Sequence, residues 1–195
     1  MLSPFRSPPR YEVEEDPEFP PDGNWRVPTF HFDQTGVSTA PRESQSVIVR
    51  VKTVDDYRWV GMFAEGLWGL YGVFATPDPG RVCCVARGFA YVVDVADPAA
   101  AFELAHTDTT AVTAVPEADR LLLSGFIDIT AIGHGGVVWR SGRLVLDDLA
   151  IVETPRDRIV CTGSIIPGDE MARVVLDAGT GQILEGEPPE WLRSS

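Results

Sequence analysis

One pattern occurs three times in the sequence: GVFATP at residues 72–77, AVTAVP at residues 111–116 and AIVETP at residues 150–155. In each copy, small and hydrophobic residues lead to a proline, and successive prolines are 39 residues apart. A short polar turn follows, and an arginine then begins a second hydrophobic run. These runs are RVCCVA at 81–86, RLLLSG at 120–125 and RIVCTG at 158–163. A constant period of this kind indicates a repeated structural unit.

Each repeat continues into two further strand-like segments. These segments are residues 90–95 and 102–105, 128–133 and 137–140, and 171–176 and 182–184. About four short strands per repeat, separated by turn-forming residues, predict an all-β fold of repeated antiparallel meander sheets. The sheets are expected to be small and propeller-like or open-stacked, with a β-sandwich as the alternative. Only residues 97–104 favour a helical turn or two, since Asp97 is a candidate N-cap and Pro98 would follow at the first helical position.

The last repeat ends in VLDAGTGQIL at residues 175–184. This segment resembles the closing hairpin of propeller repeats of the pyrroloquinoline-quinone-dehydrogenase type. The resemblance covers about ten residues. It implies blade-like geometry and no cofactor. Glu185 stands where a tryptophan often follows in those repeats.

The repeats predict a single all-β domain over residues 29–195. Its units are expected near residues 72–110, 111–149 and 150–187. Ahead of them, QSVIVRVKT at residues 45–53 alternates valines with other side chains, which predicts a half-buried strand. Residues 1–28 carry seven prolines and a run of acids, so we expect an extended, partly ordered arm there, anchored by Phe19 and Trp25.

The formal net charge is −13, from 29 acidic and 16 basic side chains. A negative mean potential repels phosphate backbones, so direct nucleic-acid binding is not expected, whereas a basic protein partner or simple solubility would be favoured. The sequence has no apolar run long enough to span a bilayer and no hydrophobic segment typical of a signal peptide, so we expect a cytoplasmic protein. The three cysteines do not form a secreted disulfide framework.

The repeat also assigns the cysteines. Cys84, Leu123 and Cys161 occupy the same position after the arginine, and a position that accepts leucine is expected to be a packed core position. Cys83 should point to the opposite face of its strand and be more accessible. No disulfide is expected between the adjacent Cys83 and Cys84.

No motif in the sequence predicts a catalytic, cofactor or metal site. His31, His106 and His134 are far apart and lack the spacing of zinc ligands, and His134 is expected at a hairpin tip. There is no nucleophile elbow or phosphate-binding loop, and the glycines of residues 66–72 predict a tight strand crossing instead. Three pairs of carboxylates are expected in solvated turns. They are Asp55 with Asp56, Asp147 with Asp148, and Asp169 with Glu170.

We therefore expect a non-enzymatic interaction or scaffold protein, in the manner of the small acidic bacterial immunity proteins that bind a basic protein. Trp59 and Trp139 lie in predicted strands and should pack in the core, whereas Trp68 is the candidate interface anchor. The expected partner-binding residues are Trp68, Glu12, Glu14, Glu15, Asp16 and Glu18. The alternative is an enzyme or sugar-binding module that uses the loop carboxylates and tryptophans.

Overall fold

The structure is a computed structural model, and it describes residues 3–41, 45–166 and 170–188. Within these residues the chain forms 17 β-strands in four sheets and no helix. The predicted all-β fold is therefore confirmed. Nothing in the described part of the chain is a helix long and apolar enough to cross a membrane.

Sheet A is formed by the first five strands, in the order β1-β4-β5-β2-β3. Its strands are β1 (Tyr11–Glu15), β2 (Thr29–Asp33), β3 (Gly36–Ser38), β4 (Ser46–Thr53) and β5 (Arg58–Ala64). The pairing of β2 with β5 is parallel, and the other neighbours are antiparallel. The predicted strand at residues 45–53 is thus the second strand of a mixed sheet, beside the strand formed by the N-terminal segment.

Sheets B, C and D are four-stranded antiparallel meanders in sequence order, one for each predicted repeat. Sheet B contains β6 (Tyr71–Ala75), β7 (Arg81–Ala86), β8 (Phe89–Asp94) and β9 (Phe102–His106). Sheet C contains β10 (Ala111–Val115), β11 (Arg120–Ser124), β12 (Ile129–Gly133) and β13 (Gly136–Arg140). Sheet D contains β14 (Asp147–Glu153), β15 (Arg158–Ile166), β16 (Glu170–Asp177) and β17 (Ile183–Glu185). The predicted repeated meander sheets are confirmed.

The three repeat prolines lie in the turn between the first and second strands of their sheets, as the repeat requires. Their surroundings differ, since Pro77 is buried and Pro155 is exposed. The shared feature is therefore the position in the meander. Proline suits this position because it cannot donate a backbone hydrogen bond to a ladder.

The predicted helix at residues 97–104 is limited to one turn. The amide of Ala101 donates to the carbonyl of Asp97 at 3.1 Å, and the amide of Ala100 donates to the Asp97 carboxylate at 3.2 Å. Strand β9 then begins at Phe102, whose ring packs 5.5 Å from that of Phe32 in sheet A. Packing of this ring against sheet A overrides the helical preference of the alanines.

Three hydrophobic clusters join the sheets in the order A, B, C, D. The cluster between sheets A and B includes Phe32, Trp59, Phe63, Cys84 and Tyr91. The cluster between sheets B and C includes Phe5, Cys83, Val92, Leu121 and Leu123. The cluster between sheets C and D includes Leu122, Trp139, Ile159, Cys161 and Leu176. Sheets B and C are consequently buried on both faces, and no cluster of the described residues joins sheet A to sheet D.

All three cysteines are buried and unpaired. This confirms the core assignment of Cys84 and Cys161. The expectation that Cys83 is more accessible is wrong, because the opposite face of its strand packs against sheet C. Removal from water raises the thiol pKa of Cys83 and that of Cys161 to about 12 and also raises that of Cys84.

Two tryptophans connect neighbouring sheets through backbone carbonyls. Trp59 Nε1 donates to the carbonyl of Val95 at 3.0 Å, and Trp139 Nε1 donates to the carbonyl of Ala178 at 3.2 Å. Each acceptor comes one residue after the third strand of the next sheet. Both side chains are buried, as expected, and each indole adds a directional hydrogen bond to an interface rich in apolar contacts.

The N-terminal segment, predicted as an extended arm, contacts three sheets. Phe5 packs in the cluster between sheets B and C. Strand β1 pairs with β4 of sheet A, and the hydroxyl of Tyr11 donates to the carbonyl of Arg81 in sheet B at 2.8 Å. The ring of Phe19 meets that of Trp25 edge to face at 5.3 Å.

The outward faces of sheets A and D carry charged pairs. In sheet A, Glu14 bonds Arg50 across the strands, and Glu12 lies opposite Lys52 in the register. In sheet D, Glu185 bonds both Arg158 and Arg173. Charged groups stay hydrated on these two faces, which favours their exposure to water.

We expect the thiols to be inert in the folded protein because burial disfavours the thiolate, which is the reactive form. Native protein mixed with Ellman's reagent at pH 8 should react far more slowly than protein unfolded in guanidinium, which should release three equivalents. Rapid labelling of any thiol in the native protein would contradict the burial of all three cysteines.

We expect Trp59→Phe and Trp139→Phe each to lower the free energy of unfolding by about 1–3 kcal/mol, since each leaves a buried carbonyl without its donor. The two effects should add in the double variant because they act at different interfaces. Urea unfolding of the three variants measures both expectations. An unchanged midpoint in either single variant would show that the hydrogen bond contributes nothing to stability.

Candidate functional site

The connector of residues 65–70, between β5 and β6, is held by backbone hydrogen bonds to two neighbouring turns. The amide of Gly66 donates to the carbonyl of Ala86 at 3.0 Å, and the amide of Gly88 donates to the carbonyl of Leu70 at 3.3 Å. The amide of Leu70 in turn donates to the carbonyl of Thr109 at 3.4 Å. We call residues 65–70 the anchor loop.

Glycine is required where the anchor loop meets these turns. A Cβ at Gly69, whose φ is +95°, would lie 2.3 Å from the carbonyl oxygen of Thr109. A Cβ at Gly88, with φ of +89°, would lie 2.3 Å from the carbonyl oxygen of Trp68. The backbones therefore touch directly, which explains the glycine pattern that predicted a tight crossing.

The anchor loop, whose backbone is held by these hydrogen bonds, presents Leu67 and Trp68 to solvent. Leu67 is 76% exposed and Trp68 is 65% exposed, which agrees with the expectation that Trp68 is accessible. Arg87 donates to the carbonyl of Leu67 at 3.3 Å and lies 3.7 Å from the carboxylate of Glu65. The apolar pair thus lies on a surface whose conformation is already set.

The acidic residues predicted to bind a partner lie on or just after β1, the edge strand of sheet A, and are separated from the anchor loop. Glu12, Glu14 and Glu15 belong to β1, and β4 separates this strand from β5, which leads into the anchor loop. The exposed Asp16 and Glu18 follow β1. The structure therefore does not bring the acidic run into contact with Trp68, and cross-strand cations face two of its members.

A buried histidine joins sheets B and C close to the anchor loop. His106, at the end of β9, is only 7% exposed. Its Nε2 lies 3.1 Å from Oδ1 of Asp128, and its Nδ1 lies 3.0 Å from the hydroxyl of Thr109. A carboxylate oxygen of Asp108 lies 3.6 Å from Nδ1. We call His106, Asp108, Thr109 and Asp128 the histidine cluster.

The order of carboxylate, imidazole and hydroxyl in this cluster is that of an acid–base–nucleophile triad. Thr109, however, is completely buried, so its hydroxyl has no open side from which a substrate can approach. Nitrogen and carboxylate oxygens are also donors for a metal ion. One ligand atom from each of His106, Asp108 and Asp128 lies within 4.8 Å of the others.

Sequence reasoning did not single out Asp108 or Asp128. The repeat contained a signal for their proximity to His106, because the end of β9 and the start of β12 lie at the same end of successive meanders. The other two histidines are elsewhere: His134 pairs with Asp119 at 3.0 Å on an exposed turn, and His31 is a buried residue of β2 in sheet A.

The two carboxylate pairs that the structure describes lie in separate exposed segments. Asp56 bonds Arg58 at 2.8 Å in an exposed turn, and this hydrogen bond and charge lower the pKa of its carboxyl. Asp147 and Asp148 are both exposed at the start of β14. Asp169 of the third pair and Trp191 lie outside the described residues.

The pocket of about 450 Å³ beside Trp25, on sheet A, is lined partly by Phe19, His31 and Met62. Trp25 Nε1 is buried without a hydrogen-bond partner. Arg50 covers the indole ring, with its guanidinium carbon 5.4 Å from the centroid. The lining of the pocket combines these apolar groups with the polar side chains of His31, Thr29 and Thr39.

No protein-family model matches the chain, and no curated protein matches it by sequence. The interpretation of the site therefore rests on its geometry.

We expect Gly69→Ala to destabilise the protein more than Gly23→Ala. Both glycines have positive φ, but Gly23 has open space where a Cβ would lie, whereas Gly69 meets a backbone oxygen. The control should lose about 1 kcal/mol from the left-handed conformation alone, and Gly69→Ala at least about 1 kcal/mol more. Urea unfolding gives both values, and equal losses would show that the close approach is unimportant.

Proposed function

We propose that the protein is a non-enzymatic binding protein that uses Leu67 and Trp68 to anchor a protein partner. The observation that carries this proposal is the combination of high exposure with a fixed backbone. Single exposed apolar side chains are common on proteins, but adjacent large ones form a patch of the kind found at interaction sites. A tryptophan that is already positioned loses little conformational freedom on binding, which is why such residues dominate binding energy at interfaces.

The partner we propose is basic. The net charge of −13 gives the whole surface a negative potential that attracts cations and speeds their encounter with the protein. Close to the anchor loop, Asp108 and Asp128 add two partly exposed carboxylates. Since Glu12 and Glu14 face cations within sheet A, the steering contribution of the acidic run falls to Glu15, Asp16 and Glu18.

The proposal places the protein in the cytoplasm. Its support is the state of the three thiols, which are free and buried, as a reducing compartment favours. A propeller-like arrangement of the repeats belongs to the same proposal, since the successive meanders place several connectors at one end of the sheets, as binding loops are placed on blades.

Binding should depend on the anchor loop. The partner would be identified by capture on the immobilised wild-type chain followed by mass spectrometry, and then purified for affinity measurements. We expect Leu67→Ala with Trp68→Ala to weaken its affinity at least about 30-fold while leaving thermal stability unchanged, because both side chains are exposed. The matched control is Val54→Ala, which removes a side chain that is 71% exposed in a turn beyond the opposite end of β5.

The role of charge is tested on the same pair of proteins. Association of a basic partner should slow as ionic strength rises, because the Debye length falls from about 30 Å at 0.01 M to about 8 Å at 0.15 M. Replacing Glu15, Asp16 and Glu18 by their amides should slow association further with little effect on dissociation. Equal affinity of the Leu67 and Trp68 variant would overturn the anchor, and salt-independent association would overturn the basic partner.

A further inference from the structure

We propose that His106, Asp108 and Asp128 form a binding site for a divalent transition-metal ion of the Zn²⁺ type. This site is separate from the exposed side chains of the anchor loop and does not depend on the function proposed for them.

The two closest donor atoms of the cluster are separated by a distance that a shared metal ion can bridge. Two ligands that each lie about 2.0–2.1 Å from a tetrahedral Zn²⁺ ion are about 3.3 Å apart. Nε2 of His106 and Oδ1 of Asp128 are 3.1 Å apart. An ion can therefore enter between them with a displacement of a few tenths of an ångström, and without moving the strands that carry them.

Asp108 lies close to the imidazole of His106. It comes two residues after His106, directly beyond the end of β9, and its carboxylate oxygen lies 3.6 Å from Nδ1. One ligand atom from each of His106, Asp108 and Asp128 lies within 4.8 Å of the others, so Asp108 is near enough to share an ion with them. The side chains of Asp108 and Asp128 are 37% and 30% exposed, whereas that of His106 is only 5% exposed. A buried nitrogen donor below two carboxylates that reach solvent leaves an entry path for the ion and room for a water ligand.

A hydrogen bond to Thr109 orients the imidazole of His106. A histidine that binds a metal through one ring nitrogen usually donates from the other, which fixes the tautomer and the ring orientation. The buried hydroxyl of Thr109 lies 3.0 Å from Nδ1 and can either accept or donate. Without an ion, Thr109 donates to Nδ1 and Nε2–H donates to Asp128. With an ion, Nδ1–H donates to Thr109 and the lone pair of Nε2 is free to coordinate.

Gly125 lies against the side chains of His106 and Asp108. Its φ is not in the left-handed region, so the backbone does not require glycine there. A Cβ at this position would lie 2.8 Å from Cε1 of His106 and 3.1 Å from Cγ of Asp108. Any side chain at this position would press against both His106 and Asp108. The glycine thus allows these two proposed ligands to lie close together.

The donor set selects the class of ion. Ca²⁺ and Mg²⁺ prefer oxygen ligands only, whereas imidazole suits Zn²⁺, Co²⁺ and related ions. Co²⁺ is a useful probe because its visible absorption reports coordination directly.

The test uses the full chain, from which bound metal is removed with a chelator and the chelator is then removed. This protein is titrated with Zn²⁺ in a calorimeter and with Co²⁺ in a spectrophotometer. We expect one saturable site for Zn²⁺ and a visible Co²⁺ band that Zn²⁺ abolishes. Asp108→Asn and Asp128→Asn should each weaken Zn²⁺ binding at least tenfold while circular dichroism and the unfolding midpoint remain close to wild type. The control is Asp55→Asn with Asp56→Asn, which removes two carboxylates from an exposed turn and should leave binding unchanged.

His106 is buried, so its replacement can fail to fold, and the two aspartate variants therefore carry the decision. Absence of saturable Zn²⁺ binding would overturn the site. An equal loss of affinity in the Asp55 and Asp56 control would also overturn it, because binding would then be a general property of an acidic surface. Binding that both aspartate variants retain at full strength would have the same consequence.

Discussion

The structure depends on the burial of two sheets on both faces. In sheets B and C the side chains on each face of the central strands enter different cores, so Cys84 packs against sheet A while the adjacent Cys83 packs against sheet C. Such strands must be apolar at nearly every position, and RVCCVA and RLLLSG satisfy this requirement. Sheets A and D need only one apolar face, and their outer faces carry charged pairs.

The part of the fold that could be predicted is the part that the repeat encodes. The period located three meanders, and the equivalence of Cys84, Leu123 and Cys161 located core positions. Features that depend on contacts between distant segments could not be read in this way. The parallel pairing of β2 with β5 is an example, since their registers are set across about 30 residues of intervening chain.

The same limit applies to the site. The exposure of Trp68 could be anticipated from its glycine-rich surroundings, because interleaved glycines indicate a loop. The histidine cluster could not, since Asp128 is on the next sheet and only the packing of sheets B and C brings it to His106. The error over Cys83 has the same cause: alternation along a strand shows that two faces differ, but not whether the second face meets water or another layer.

The N-terminal segment contacts sheets A, B and C, whereas sheet D joins the stack through its interface with sheet C. In an array of layers, each layer is stabilised chiefly by its neighbours. An end layer that the N-terminal segment does not hold can therefore detach before the others. Loss of sheet D would uncover Leu122, Ile129 and Trp139, which form the apolar face of sheet C. A chain shortened within sheet D would therefore expose a surface suited to self-association.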